Sequence, residues 1–189
     1  FDDLGLSFIK NFPNASISLK KLSVAGIDKF EDDTLLKLNS FNIKVDIISA
    51  IKMENIKVKG IVLDRPVINA RKLEDGSVNW DIMKEAEEEE EEVVDTAASE
   101  FTATIALKKF EIRDAGISYA DDSSKMAASL DNFDFLLKGD LSQDFTTLSI
   151  ISSTEMVNLL MEEIRYVKDA SLNININLDA DLENSIYIL

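Results

Sequence analysis

Histidine and cysteine are both absent from the 189 residues of this chain. Without histidine the chain cannot form a Ser-His-Asp triad, a Cys-His pair or an imidazole metal site. Without cysteine it has no thiol nucleophile, no disulfide and no thiolate zinc site. Any catalysis would depend on carboxylates, lysines and hydroxyls, so we expect a protein that is not an enzyme and that uses no metal and no cofactor.

Long apolar runs are missing as well, and the charge is one-sided. No stretch of about 18 apolar residues occurs, so nothing in the sequence is expected to span a bilayer. The chain starts at Phe1 without the basic and apolar regions of a signal peptide, so we expect any membrane anchor outside this fragment. A net charge of −16 repels phosphate backbones, which argues against a nucleic-acid partner.

Much of the negative charge is concentrated in residues 84–100, which contain nine carboxylates and one lysine. Like-charge blocks of this kind usually stay solvated, so we predict a disordered linker there. The segments on either side contain similar strings, ISLKKLSVAGI at 17–27 and IALKKFEIRDAGI at 105–117. We therefore predict two β repeats, one in residues 13–83 and the other in residues 101–189.

Apolar residues alternate through both repeats, which is typical of strands with one buried face. In several strands the alternation slips once, as in the step of three from Leu19 to Leu22 and again from Leu107 to Phe110. Such a step turns the following side chains to the other face unless a bulge absorbs the extra residue. Bulges bend strands, so we predict a long, strongly curled antiparallel sheet with an apolar concave face and one or two short helices.

Three further segments have predictions of their own. Residues 1–12 have apolar residues at helical spacing and end before Pro13, which predicts a short capping helix. Segment 155–168 fits a helix or a strand. Residues 172–182 alternate strictly between apolar and polar side chains, which predicts a long strand with one face in water. The acidic residues within 179–183 are expected on that solvated face rather than around a metal.

Several strings resemble the N-terminal periplasmic region of the AsmA family, in the form found in Bacteroidetes-type bacteria. They are, in chain order, FPNASISL at 12–19, IVLDRP at 61–66, LEDGSVNWD at 73–81 and, after the acidic segment, LKGDLS at 137–142. Each string is short. Their order along most of the chain is what carries the resemblance.

The resemblance implies a repeating β-groove fold, similar in shape to the chorein-type lipid-transfer proteins. It also implies a periplasmic location, a tether to the inner membrane, and a role in guiding phospholipid or maintaining the outer membrane. Phospholipid or another acyl lipid would lie against the apolar face, and other envelope proteins would be further partners. The groove residues expected from this interpretation are Ile17, Leu19, Leu22, Val24, Leu36, Leu38, Phe41, Ile43, Val45, Ile56, Val58, Ile61, Leu63, Ile105, Leu107, Phe110, Ile112, Leu130, Phe133, Phe135 and Leu137.

Other functions fit the same apolar strands. A periplasmic assembly factor would hold segments of outer-membrane proteins by adding them as strands to a sheet edge. A closed β-sandwich would pack its apolar faces against each other and bind no ligand. A carboxylate-based glycan enzyme would need two carboxyl groups about 5–9 Å apart in a cleft, and Asp121 and Asp122 are the acids that suggest it.

Overall fold

The computed structural model describes residues 3–7, 14–52, 56–82 and 103–188. These residues lie almost entirely in strands, which confirms the mainly β fold. The strands are β1 (Asp3–Ser7), β2 (Asn14–Ala25), β3 (Thr34–Asp46), β4 (Ile56–Asp64), β5 (Val67–Lys72), β6 (Ala103–Asp121), β7 (Met126–Lys138), β8 (Phe145–Met161), β9 (Ile164–Asp181) and β10 (Ile186–Ile188). Helix within these ranges is limited to α1 (Ile47–Lys52) and a 3-10 turn at Asp28–Phe30, neither long enough to cross a membrane.

All ten strands belong to one curved sheet with the order β1-β2-β3-β4-β6-β7-β8-β9-β10, and β5 pairs with both β3 and β6. Neighbouring strands are antiparallel except at one seam, where β4 and β5 run parallel to β6. The prediction of a wholly antiparallel sheet is wrong at this seam, and the sheet is mixed. Parallel neighbours need a long return connection, which the length of residues 73–102 permits.

One of the predicted slips contains a residue with positive φ, because Lys21 lies between Leu19 and Leu22. Three other steps of three contain such a residue as well, Asp114 in β6, Asn132 in β7 and Asp169 in β9. A non-glycine residue near φ 50° is in the left-handed region, which aspartate and asparagine tolerate better than most residues. This conformation interrupts the period-two alternation, which allows the apolar side chains after the step to project from the face they occupied before it.

The slip in β2 is matched by a slip in its neighbour. Leu19 lies opposite Phe41 and Leu22 lies opposite Leu38, so the step of three in one strand faces the step of three in the other. The ladder keeps its register through this point because both strands change together. By contrast, the ladder between β4 and β6 shifts between Val58 and Gly60, where only a bulge reconciles the two strands.

The predicted N-terminal helix is wrong where the structure describes it. Residues Asp3–Ser7 form β1 and pair antiparallel with β2, with Leu4 opposite Leu19 and Leu6 opposite Ile17. Gly5 weakens a helix, and the edge of β2 offers this segment backbone partners along its whole length. The rest of the predicted helix, residues 1–2 and 8–12, lies outside the described residues.

Residues 155–182 are mostly strand in the structure, which agrees with the prediction made for residues 172–182. The segment 155–168, which fitted either helix or strand, is strand throughout apart from the turn between β8 and β9. The predicted long strand at 172–182 is part of β9, which starts earlier, at Ile164, and ends at Asp181. Strands β2–β5 lie in the first predicted repeat and β6–β10 in the second, and both sets join one sheet. The predicted linker at 84–100 lies outside the described residues.

Arg65 and Pro66 separate β4 from β5, and both strands pair with β3 and β6. Arg65 has a φ of 48°, and Pro66 is fully buried without an N–H to donate to a neighbouring strand. After β5 the chain turns at Asp75 and Gly76, where Gly76 has a φ of 85° and its N–H donates to the carbonyl oxygen of Leu73 over 3.0 Å. The turn brings Asn79 back beside β5.

Candidate functional site: the apolar face of the sheet

One face of the sheet is covered by rows of apolar side chains that run across the strands. Residues opposite one another in a ladder project from the same face, so a row can be followed from strand to strand. Row A, from β2 to β9, consists of Ile17, Ile43, Ile61, Phe110, Leu137, Ile150 and Ile176. With strands about 4.8 Å apart, row A is about 29 Å long.

Two more rows run beside row A on the same face. Row B, two residues further along each strand, consists of Leu19, Phe41, Leu63, Ile112, Phe135, Ser152 and Ile174. Row C lies beyond the slips and consists of Val24, Leu36, Ile68, Ile117, Leu130, Val157 and Ala170. The three rows make a continuous apolar surface that crosses seven strand positions, and Ser152 is the one polar side chain in them.

The structure brings the predicted groove residues together on this face. Most of them lie in rows A, B and C, while Val45 and Val58 form a shorter row with Ile105 at one end, and Leu22 faces Leu38. Phe133 lies opposite Ala115, next to row C. Leu107 lies in β6, three residues before Phe110. For Ile56 and Ile105 only the backbone is described.

The apolar face is partly open to solvent. Of the predicted residues whose side chains are described, only Leu38, Val45 and Leu107 are buried, and all the others are half-buried. Side chains between two packed sheets would be almost fully buried. The described strands therefore form a single sheet whose apolar face lacks a second layer within the described residues, which is not the closed sandwich of the alternative.

The middle of the apolar face is aromatic. Phe110 and Phe135 meet edge to face with ring centroids 6.0 Å apart, and Phe133 stacks on Phe135 at 6.5 Å. These rings belong to β6 and β7, the two strands next to the parallel seam. Aromatic pairs in this geometry stabilise each other by about 1 kcal/mol beyond their burial. The three rings pack against one another at the centre of the apolar surface.

The opposite face of the same strands is mainly polar. One row on this face is made of residues that directly precede or follow the members of row A in each strand. It consists of Ser16, Lys44, Gly60, Lys109, Lys138, Ser149 and Asn177. The next row consists of Ser18, Asn42, Val62, Glu111, Leu136, Ile151 and Asn175. Its longest apolar run is the pair Leu136 and Ile151, whereas the apolar run of row A has seven members. The sheet is thus amphipathic, with its apolar residues concentrated on one side.

The apolar face ends at one buried charge, the carboxylate of Asp121 in β6. It accepts hydrogen bonds from the hydroxyl of Ser123 and from the backbone of Ser124, and Lys72 Nζ lies 3.2 Å away. These donors hold the pKa of Asp121 well below its usual range, although burial opposes the shift. This carboxylate marks the polar limit of the apolar surface.

At this end of the face sequence reasoning missed the positioning role of Asn79. Asn79, which is 1% exposed, accepts from Arg71 N at 2.9 Å and donates to the carbonyl of Asn69 at 2.7 Å, so its amide imitates a strand beside β5. Trp80 follows it and lies 6.2 Å from the ring of Tyr119. The indole is half exposed at the rim, as expected for a lone tryptophan at the edge of a sheet.

A second carboxylate is held near the other end of the apolar face. Lys108 Nζ lies 2.7 Å from Asp140 Oδ2, and this ion pair, together with Ser142, lowers the pKa of Asp140 to about 2. The neighbouring Lys109 pairs with Glu111 over 2.7 Å. The paired lysines of β6 are therefore committed to carboxylates of this chain.

Eight row residues were not among the predicted groove residues, and three of them, Ser152, Ile174 and Ala170, lie where the rows reach β8 and β9. Ile68 and Ile117 continue row C across the parallel seam, and Ile150, Val157 and Ile176 extend the rows into β8 and β9. The alternation at 172–182 already contained the signal for Ile176. The contribution of β8 was hidden because the same residues fitted a helix.

The described residues contain no cluster of three or more carboxylates placed to hold a metal ion. Asp179 accepts from Thr147 Oγ1 at 2.7 Å, and Asp181 accepts from Asn184, so both of these acids have partners within the chain. Asp121 and Asp122 are engaged by Lys72 and Arg71. Asp179 and Asp181 line a pocket beside Phe145 and Ile186 and do not belong to rows A, B or C.

Comparison of the chain with models of protein families, with curated proteins and with solved structures found no match.

Proposed function

We propose that this protein is a non-enzymatic lipid-binding module that holds acyl chains along rows A, B and C. The observation that carries the proposal is the partly open apolar surface, about 29 Å long, on a single curved sheet. Acyl chains lying along a row would touch a side chain from every strand they cross. Each methylene removed from water in this way contributes about 0.8 kcal/mol.

The chemistry of the rows sets the kind of ligand. Among the described residues the interior of rows A and B offers Ser152 as its one polar side chain, so the surface has almost nothing to pair with a buried headgroup. The headgroup therefore stays in water at the open side. Selectivity among acyl chains is low, because apolar walls distinguish ligands that differ by a methylene by only about 1–3 kcal/mol.

The biological setting rests on the sequence resemblance to the AsmA family. On this basis the ligand is a phospholipid, the location is the periplasm with a tether to the inner membrane, and the role is lipid guidance in maintenance of the outer membrane. The curved amphipathic sheet supports this setting because it is the surface that a repeating β-groove needs. Other envelope proteins are the partners expected for such a segment.

Site-specific photo-crosslinking tests the proposal, because adjacent residues of one strand face opposite sides. A photoreactive residue is placed at Ile43 or Leu137 in row A, and the matched controls carry it at the next residue, Lys44 or Lys138. After expression in cells, the row A positions should yield lipid adducts in the mass spectrum and the controls should not. Equal labelling at both members of each pair, or none at any position, contradicts the proposal.

A further inference from the structure

Within the part of the chain that the structure describes, the outer edge of β9 is unpaired along most of its length. On one side β9 pairs with β8 throughout, whereas on the other side β10 pairs only with Asp179 to Asp181 among the described residues. At the opposite end Asp169, with a φ of 49°, interrupts the regular strand. Between these limits lies a straight edge whose midpoint is Ile174.

This edge has none of the usual protection against pairing. Natural edge strands carry charges, prolines or bulges that keep other strands away. Residues 171–177 read SLNININ, with no charge, no proline and no glycine in a chain whose net charge is −16. Leu172 and Ile174 are 49% and 37% exposed. The edge is uncharged, regular and apolar on one face, which favours addition of a strand.

The same segment is complementary to itself. When two copies run antiparallel about an axis at Ile174, Leu172 lies opposite Ile176 and Asn173 lies opposite Asn175, in both directions. Apolar side chains then meet apolar ones on one face, and asparagine amides meet on the other, where they can exchange hydrogen bonds. The chain has a net charge of −16 whereas this segment carries no charge, so pairing here avoids repulsion between like charges at the contact.

We propose that β9 pairs with β9 of a second copy of this chain, antiparallel about a two-fold axis at Ile174. The two sheets then become one, with both apolar faces on the same side. Row B of one copy ends at Ile174 and meets row B of the other, and Ile176 of row A meets Leu172. The dimer therefore presents one apolar surface across both copies.

The absence of native cysteine gives a test of this register. In the two-fold arrangement residue 174 faces itself across the axis, at a Cα separation of about 5 Å that a disulfide can bridge. Residue 172 faces 176 instead, so two copies of residue 172 are about 13 Å apart along the strands. Ile174→Cys should give a covalent dimer on mild oxidation of the full chain, and Leu172→Cys should not.

Sedimentation velocity on the full chain supplies the second readout. Wild type should show a dimer that increases with concentration, and Asn175→Lys should abolish it, because this exposed position lies in the middle of the pair. Gln143→Lys, which adds the same charge in an exposed turn outside residues 171–177, should dimerise like wild type. A wild type that stays monomeric, a dimer that survives Asn175→Lys, or equal crosslinking of both cysteine variants overturns the proposal.

Discussion

The two faces of this sheet are made by the same strands, yet they differ in how their side chains are arranged. On one face Ile17, Ile43 and Ile61 start a row that stays apolar to Ile176. On the other face Val62 lies between Asn42 and Glu111, and the longest apolar run in its row is the pair Leu136 and Ile151. The number of apolar residues matters less than their continuity from strand to strand, because only a continuous surface can hold a chain-like ligand.

The largest effect is expected from interrupting the continuous face. Ile61→Asn places an amide in row A, whereas Val62→Asn places the same amide on the opposite face of the same strand, and both wild-type side chains are half-buried. A polar group without a partner costs about 1–3 kcal/mol against an acyl chain, so affinity should fall about tenfold or more in Ile61→Asn only.

Binding of a fluorescent fatty acid to the two variants measures this difference. Their thermal unfolding provides the control, since both substitutions remove a similar apolar side chain and should lower stability to a similar degree. Equal loss of binding in both variants would show that the two faces are not functionally distinct.

A smaller effect is expected from the bulges that keep the faces separate. Asp114 has a φ of 50° in the middle of β6, and its side chain is exposed. Asp114→Val forces a β-branched residue into the left-handed region and should lower the free energy of unfolding by about 1–2 kcal/mol. Asp114→Gly removes the same carboxylate without that strain and should stay close to wild type in urea denaturation. If the two variants are equally stable, the bulge is not held as described.

The smallest effect is expected for Asp121, the buried carboxylate at which the described part of the apolar face ends. The pKa of Asp121 is lowered by Ser123, Ser124 and Lys72, so its contribution to stability is complete above its unfolded-state pKa of about 3.9 and is lost as pH falls through the folded-state value. Asp121→Asn should therefore flatten the fall in melting temperature below about pH 4. An unchanged acid profile would mean that this carboxylate is not held by its donors.

The sequence predicted the amphipathic strands well, because period-two alternation is a local signal. The slips at Leu19–Leu22 and Leu107–Phe110 also carried information, since both steps occur inside strands of the curved sheet. What the alternation could not supply is which strands are neighbours. The parallel seam between β4 and β6 depends on a long connection and on pairing between distant residues, so nothing local distinguished it from an antiparallel ladder.

Local signals also misled where tertiary pairing decides the outcome. The spacing of Phe1, Leu4, Phe8 and Phe12 favours a helix, but Leu4 and Leu6 are drawn into a strand by the free edge of β2. Similarly, the apolar run in β8 fits a helix until β7 and β9 flank it on both sides. In each case backbone hydrogen bonds to an existing edge outweigh a helical spacing that is supported by few residues.

The central claim is that the apolar face is a binding surface rather than an exposed core. Mass spectrometry of lipid extracted from the full chain, purified from cell envelopes without detergent, tests this claim most directly. The account predicts at least about one acyl lipid for each chain, with mixed chain lengths as expected for apolar walls. Protein that is free of lipid and that takes up none when mixed with phospholipid vesicles would contradict it.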